Sequence, residues 1–451
     1  MKNLLLASAV AAALSYVPAS EAATSPDDLT QIRQQLESLM QRVDKLEQEN
    51  TDLKGENDQL KAQADYLKAE TKGLRKDAAN AAVDAAKVKG TDWASKITLK
   101  GDVRYRHEEI SDNSLSNAAA AGQPANPQQT ADRYRDRIRA RVSLEAKVTD
   151  KLLAGIGFTT TENSDPRSGN QSLTGAFSKK ALDLDLAYLD WKFASWGDAI
   201  FGKMKQPFFK PGQSYFWDND ITPEGIALNF NSGIVFGTAY GYWINEVSGT
   251  ENIVTADTQL FGGQIGLKLP IGASNLTLAA HYYDLASGQG RAPFYNNSAN
   301  GNTTVTLNNS AVLLNDYQVA ELGAEWNMNL GALPLQVWAD FAQNQDADDF
   351  DQAYGAGVLL GKAANARTWE LGTSYHKQEK DALFGQLVDS DFGAGNTDVE
   401  GWVLRAGYAP QKNMIFNLTY FLNKRNVDVP NALGQTNIDY KRLQVDFNAK
   451  F

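Results

Sequence analysis

From Trp93 to Phe451 polar and apolar residues alternate with a period of two, in segments of about ten residues with no long apolar run between them. "KITLKGDVRYRHEE", "LPLQVWADFAQNQD", "MIFNLTYFLNKRNV" and "RLQVDFNAKF" are clear cases. On a strand such a pattern sends one chemistry to each face; segments of this length and polarity are those of a transmembrane β-barrel. The stretch "RYRDRIRARV" sharpens the point, with Arg133, Arg135, Arg137, Arg139 and Arg141 at every second position. A helix would scatter these side chains around its axis, whereas a strand puts all five on one face and Ile138, Ala140, Val142 and Leu144 on the other. The chain as a whole is acidic, with a net charge of -11 and pI ≈ 5.0, so the row is not a symptom of general basicity. An arginine turned to mid-bilayer lipid costs about 2–4 kcal/mol, which leaves the cationic face only the lumen.

Neighbouring segments repeat the division. Ile97, Leu99, Val103 and Tyr105 share one face, and Lys100, Asp102, Arg104 and Arg106 share the other. The last segment adds Arg442 and Lys450 to its polar face, and Lys203 and Lys205 lie before a long loop. Connections alternate between short and long, as expected of periplasmic turns opposite external loops. The short ones fall at 149–151, 195–198, 231–233, 270–274, 329–333, 378–381 and 409–413. The long ones fall at 109–131, 162–180, 207–223, 247–257, 287–315 and 346–365, with shorter ones at 393–398 and 427–436. This division gives sixteen strands, an even number as bacterial barrels require, provided that "ALFGQLVDSDF" (382–392) is one of them. Sixteen strands leave an aqueous lumen. Aromatic residues near segment ends, among them Trp191, Trp196, Tyr240, Tyr242, Trp243, Tyr283, Trp326 and Trp338, are read as interfacial girdles.

Residues 23–92 follow another rule. Leu29, Ile32, Leu36, Leu39, Val43, Leu46, Asn50, Leu53, Asn57, Leu60, Ala64, Leu67, Thr71 and Leu74 step by three and four, a coiled-coil seam. Glu49, Glu56 and Glu70 precede Lys54, Lys61 and Arg75 by five residues, the offset that pairs parallel neighbours. Val43 at a with leucine at d favours two strands. Residues 78–90 read as a tether. Ahead of the coil, Lys2, an apolar run to Val17 and the small residues around Ala22 make residues 1–22 a secretory signal peptide. The chain therefore divides into a signal peptide (1–22), a periplasmic coiled coil and tether (23–92) and an outer-membrane β-barrel (93–451).

Catalysis finds no footing. There are no cysteines and only three histidines, His107, His281 and His376, none in a metal-ligand spacing or beside a nucleophile motif. No cofactor or metal is expected, and an acidic chain without aromatic–basic recognition motifs does not read as a nucleic-acid binder.

Phe451 is terminal, with Ala449, Phe447, Val445 and Leu443 at alternate positions before it. This resembles the C-terminal signal of Gram-negative outer-membrane proteins. "GKMKQPFFKPGQSYFWDNDITPEGIALNF" (202–230) and "ARTWELGTSY" (366–375) resemble segments of the putative porins, which pair an N-terminal coiled coil with a barrel. "GKMKQPF" bears a more distant likeness to the phosphate-selective porins. The resemblance implies a trimer, and a loop 207–223 folded inward as a constriction, its Asp218 and Asp220, with Glu224 just beyond, facing the arginine wall. The expected function is passive diffusion of small hydrophilic solutes through the outer membrane. The wall of Arg104, Arg106, Arg133, Arg135, Arg137, Arg139, Arg141, Lys203 and Lys205 tilts it toward anions. The alternative is a structural anchor, in which the barrel mainly holds a coiled coil tethered to the cell wall.

Overall fold

A computed structural model describes residues 26–86, 92–114, 132–248 and 254–451. The signal peptide read from residues 1–22 lies outside the described residues. The chain divides into two units, Met1–Thr91 and Asp92–Phe451.

In the first unit, helix α1 runs unbroken from Pro26 to Ala86, so the segment read as a tether is helical at least to Ala86. Leu39, Leu46, Leu53, Leu60 and Leu67, all on the heptad seam, are exposed along it. A single α-helix has nothing of its own to cover such a stripe.

In the second unit a short helix α2 (Asp92–Ser95) leads into nineteen strands among the described residues. In chain order they are β1 (Ile97–Asp112), β2 (Arg133–Lys147), β3 (Leu152–Thr160), β4 (Gln171–Ser172), β5 (Leu182–Ala194), β6 (Gly197–Lys203), β7 (Glu224–Ser232), β8 (Val235–Asn245), β9 (Thr258–Ile271), β10 (Ser274–Ala286), β11 (Thr304–Leu307), β12 (Ser310–Leu313), β13 (Tyr317–Leu330), β14 (Leu333–Asn344), β15 (Gln352–Gly361), β16 (Thr368–Gln378), β17 (Val399–Gln411), β18 (Met414–Arg425) and β19 (Ile438–Lys450). All but β4, β11 and β12 form one closed antiparallel wall of sixteen strands, β19 pairing back onto β1. No helix among the described residues is long and apolar enough to cross a membrane.

The two faces differ as the alternation requires. Leu99, Val103, Ile265, Leu322 and Leu371 point outward with about half or more of their surface bare, an arrangement that water would penalise and lipid welcomes. Trp191, Trp196, Trp243, Trp326 and Trp402 are exposed near strand ends, where girdles belong. Tyr240, Tyr242, Tyr283 and Trp338, assigned above to the girdles, instead point inward and are buried. Tyr282 and Tyr283 are adjacent and so must face opposite ways; Tyr282 is the outward one.

The strand count of sixteen is reached by a different route from the one read in the sequence. Residues 382–392 are not a strand; they belong to a loop, 379–398, that dives into the barrel and buries Leu383, Phe384, Leu387 and Val388. The missing strand is β15, inside the stretch read as the long loop 346–365. Its inward positions include Gly355 and Gly357, so it shows no polar alternation. Glycine is required there: a Cβ on Gly355 would lie 2.5 Å from both Asp340 Oδ1 and His376 Nδ1, and one on Gly357 2.8 Å from the Trp338 ring. The turn read at 378–381 is accordingly the start of a long inward loop.

Closure uses the last residue. Phe451 exchanges two backbone hydrogen bonds of 3.0 Å with Gly101, and a Cβ on Gly101 would stand 2.3 Å from the Phe451 ring.

Candidate functional site

The barrel interior is where charge collects. β1 and β2 pair so that Arg104 stands opposite Arg139 and Arg106 opposite Arg137. Four guanidiniums on one inner face would repel unless acids were interleaved. The same faces supply them. Glu108, wholly buried, accepts hydrogen bonds from Arg135 and Arg442 and lies 3.5 Å from Arg106 and 3.8 Å from Arg137. Asp102 bridges Arg139 and Arg141 at 2.8 Å each. Asp446, across the β1–β19 seam, takes Arg106 through two bonds of 2.6 and 2.8 Å.

Loops complete the lattice. Loop 204–223 crosses the interior and is anchored on the wall far from the arginines. Trp217 donates its indole N–H to Glu321 at 3.0 Å and packs edge-on against Tyr283, with ring centroids 5.1 Å apart. Phe208 stacks on His281, whose ring nitrogens are held by Glu321 at 2.7 Å and the Tyr240 hydroxyl at 2.8 Å. Loop 379–398 meets it from the other side: the Asp218 amide donates to Leu387 O, the Asp389 amide to Tyr215 O, and the Ser390 amide to the Asp218 carboxylate at 2.8 Å. A third segment, 161–181, reaches in with Asn170, which accepts from Arg104 at 2.6 Å. It also carries Arg167, whose guanidinium donates to the carbonyls of Gly385, Val388 and Gly395. The lumen is thus partitioned by three loops instead of standing open.

Among the acids expected to face the arginines, only Asp220 does so, 3.5 Å from Arg139 and 3.2 Å from Arg141. Asp218 is turned away, clasping the other loop. Glu224 is exposed and pairs with Lys203 at 3.0 Å. Arg104, Arg106, Arg137 and Arg139 are buried inside, Arg135 and Arg141 are half-buried, and Arg133 and Lys205 are exposed. The loop acid that lies closest to the arginine row is another one, Asp391. It lies 2.9 Å from Arg106 and 2.7 Å from Arg442, brought there by loop 379–398. Glu108 and Asp446 were legible in principle, since each continues the alternation of an inward face; nothing local marks Asp391.

The family model described as Putative porin matches residues 57–315 and 297–451. The chain belongs to that family. It is therefore a protein of the Gram-negative outer membrane, with the fold of a channel. No curated protein matches it. Among solved structures, the high-pH structure of Pseudomonas putida OprB is similar with a TM-score of 0.53 and 11% identity, covering 82% of this chain and 97% of that one. The outer-membrane channel DcaP of Acinetobacter baumannii is similar at 0.44 with 12% identity, and Salmonella typhi OmpF in complex with daunomycin at 0.45 with 12%, each covering 79% of this chain and 97% of its own. The OprB likeness places the barrel among porin folds.

The clasp between the two loops carries its own titration. Burial, then the neighbouring charges of Asp389 and Asp220, push Asp218 well above the usual carboxylate range. Burial, then Asp391, push Asp389 up to about 6. Burial would also raise Asp391 and Asp220, but Arg442 and Arg106 outweigh it at the first, and Arg139 and Arg141 at the second, so both sit low. A carboxyl raised on docking favours the docked state only while protonated: the contribution of Asp389 is complete below its ordinary 3.8 and is lost as pH climbs through about 6. Channel conductance should therefore be lower at about pH 4.5 than at about pH 7.5, and Asp389→Asn should hold it low throughout. Single-channel recording across that range checks this; a flat profile in the unmodified protein would contradict it.

Proposed function

We propose that this porin is a passive diffusion channel for small hydrophilic solutes, with a preference for anions. The observation that carries the reading is the buried row of Arg104, Arg106, Arg137 and Arg139 on one inner face of the barrel. Guanidiniums fixed at a narrow, partly desolvated passage raise the local anion concentration. Their interleaved acids lower the net charge, so the preference is modest. The preference is expected to fade as the Debye length falls from about 30 Å at 0.01 M salt to about 3 Å at 1 M. Reversal potentials in a salt gradient test it. At low salt the paired substitution Arg137→Gln and Arg139→Gln should cut the anion-over-cation permeability ratio by about twofold. Cation preference, unmoved by the two changes, would refute it, and a barrel without conductance would leave the anchor reading.

The exposed leucine seam of α1 supports parallel self-association of the helix in the periplasm. Replacing Leu53 and Leu60 by Asp should abolish it, since each would put a charge at a d position. Native mass spectrometry of the detergent-solubilised protein reads the outcome: an oligomer for the parent chain, a smaller species for the variant. Equal masses would sink the proposal.

A further inference from the structure

Two of the cavities that the loops leave in the barrel share a boundary. One, of about 560 Å³, opens at the long-loop end: Asp183 and Asp185 at the start of β5, Lys203 at the end of β6 and Glu224 at the start of β7 line it. The other, of about 300 Å³, lies toward the short-turn end, beside Ile415 and Asn417 at the start of β18 and Lys450 at the end of β19. Only Arg141 and Asp220 line both, and their ion pair of 3.2 Å forms the partition between them. Arg139 holds the same Asp220 carboxylate at 3.5 Å from the inner side.

The two chambers carry opposite uncompensated charge. The outer one has five acids against two bases. Glu224 and Asp220 are paired, but Asp165, Asp183 and Asp185 have no ion pair with lysine or arginine among the described residues; Ser164 and Thr222 hydroxyls hold the latter two. The inner chamber has seven bases against five acids. There Arg167 is bonded to backbone carbonyls, Arg405 and Lys450 have no carboxylate partner among the described residues, and Arg104 comes no nearer than 3.9 Å to one.

We infer that the pore conducts asymmetrically, as a cation-filled chamber in series with an anion-filled one joined at the Asp220–Arg139/Arg141 junction. The inference rests on the channel reading above. The smaller, basic chamber sets the overall anion preference; the acidic chamber in series adds direction. With the long-loop side positive, cations leave the outer chamber inward and anions leave the inner chamber outward, so both carriers flow into the junction and conductance is high. With the sign reversed each chamber must supply the ion its fixed charge excludes, and the junction is depleted.

Single-channel recording decides the matter. The chain lacks cysteine, so Phe177→Cys, on a fully exposed loop residue, gives one thiol whose labelling from one side fixes the orientation of the barrel in the bilayer. Expected is a current at least about twofold larger with the long-loop side positive in 0.1 M KCl, and near symmetry in 1 M, where screening shortens the reach of the fixed charges to about 3 Å. Asp183→Asn with Asp185→Asn should remove the asymmetry while keeping the channel open, and Arg405→Gln with Lys450→Gln should remove it from the other side. Symmetric current in 0.1 M KCl, or asymmetry that survives both paired substitutions, overturns the inference and leaves the channel reading standing. Absence of any conductance overturns both.

Discussion

Glu108→Ala should destabilise the barrel by about 3–5 kcal/mol, the range for removing one partner from a buried ion cluster. Glu108 is fully enclosed and lies within 4 Å of Arg106, Arg135, Arg137 and Arg442, with the Gln444 amide donating to it at 3.1 Å. Taking its carboxylate away leaves guanidiniums facing one another across β1, β2 and β19, and a methyl group cannot accept their protons. Glu108→Gln keeps the shape and an acceptor but not the charge, so it should fall between the two. Urea midpoints of the refolded protein, or the temperature at which the folded form is lost on detergent gels, read the loss. An unchanged midpoint for the alanine variant would mean that solvent in the lumen screens the cluster.

Trp217→Ala should act on the pore and leave the wall intact. Trp217 is 2% exposed, and its ring packs on Phe208 and Tyr283 while its N–H reaches Glu321. Truncating a buried tryptophan costs about 3–5 kcal/mol. Here the cost falls on docking of loop 204–223, which shares no ladder hydrogen bonds with the barrel strands. The loop should then leave the interior for much of the time, and single-channel conductance should rise by about twofold or more. Trp217→Phe, which keeps a ring but not the N–H donor, should give a smaller rise. Conductance unchanged in the alanine variant would mean that this loop does not limit flow.

These two residues also mark the limits of what the sequence discloses. The wall was legible because lipid imposes a strict period of two, and the arginine row on β2 could satisfy it in only one register. The interior was not, because residues that pack against folded-in loops lose that rule. Tyr240, Tyr242, Tyr283 and Trp338 look like girdle aromatics in the sequence, yet the first three pack in one core with Phe208 and Trp217 of loop 204–223, and Gly212 of that loop lies against the Trp338 ring. The apolar run at 382–392 imitates a strand because it is packed on Trp217 and Tyr283, and β15 is hidden because its inner positions hold glycines that make room for His376 and Trp338. Asp391 belongs to the same failure: a carboxylate delivered by an irregular loop leaves no periodic trace. The count of sixteen survived because one strand was gained where another was lost.

The seam between β1 and β19 has a consequence for how the chain assembles. Arg106 and Asp446, 340 residues apart, meet only when the two ends of the barrel come together. A slip of one residue would turn every side chain of β19 inside out, and a slip of two, which preserves the faces, would set Arg106 against Gln444 or Asn448. Arg106 and Asp446 therefore face each other directly only in the correct register of the last strand, at the step where the entropic cost of joining distant segments has been met in full. Phe451 then seats against Gly101, where any larger residue would bar it. Without β19, both β1 and β18 would present unpaired edges, templates for pairing with another chain.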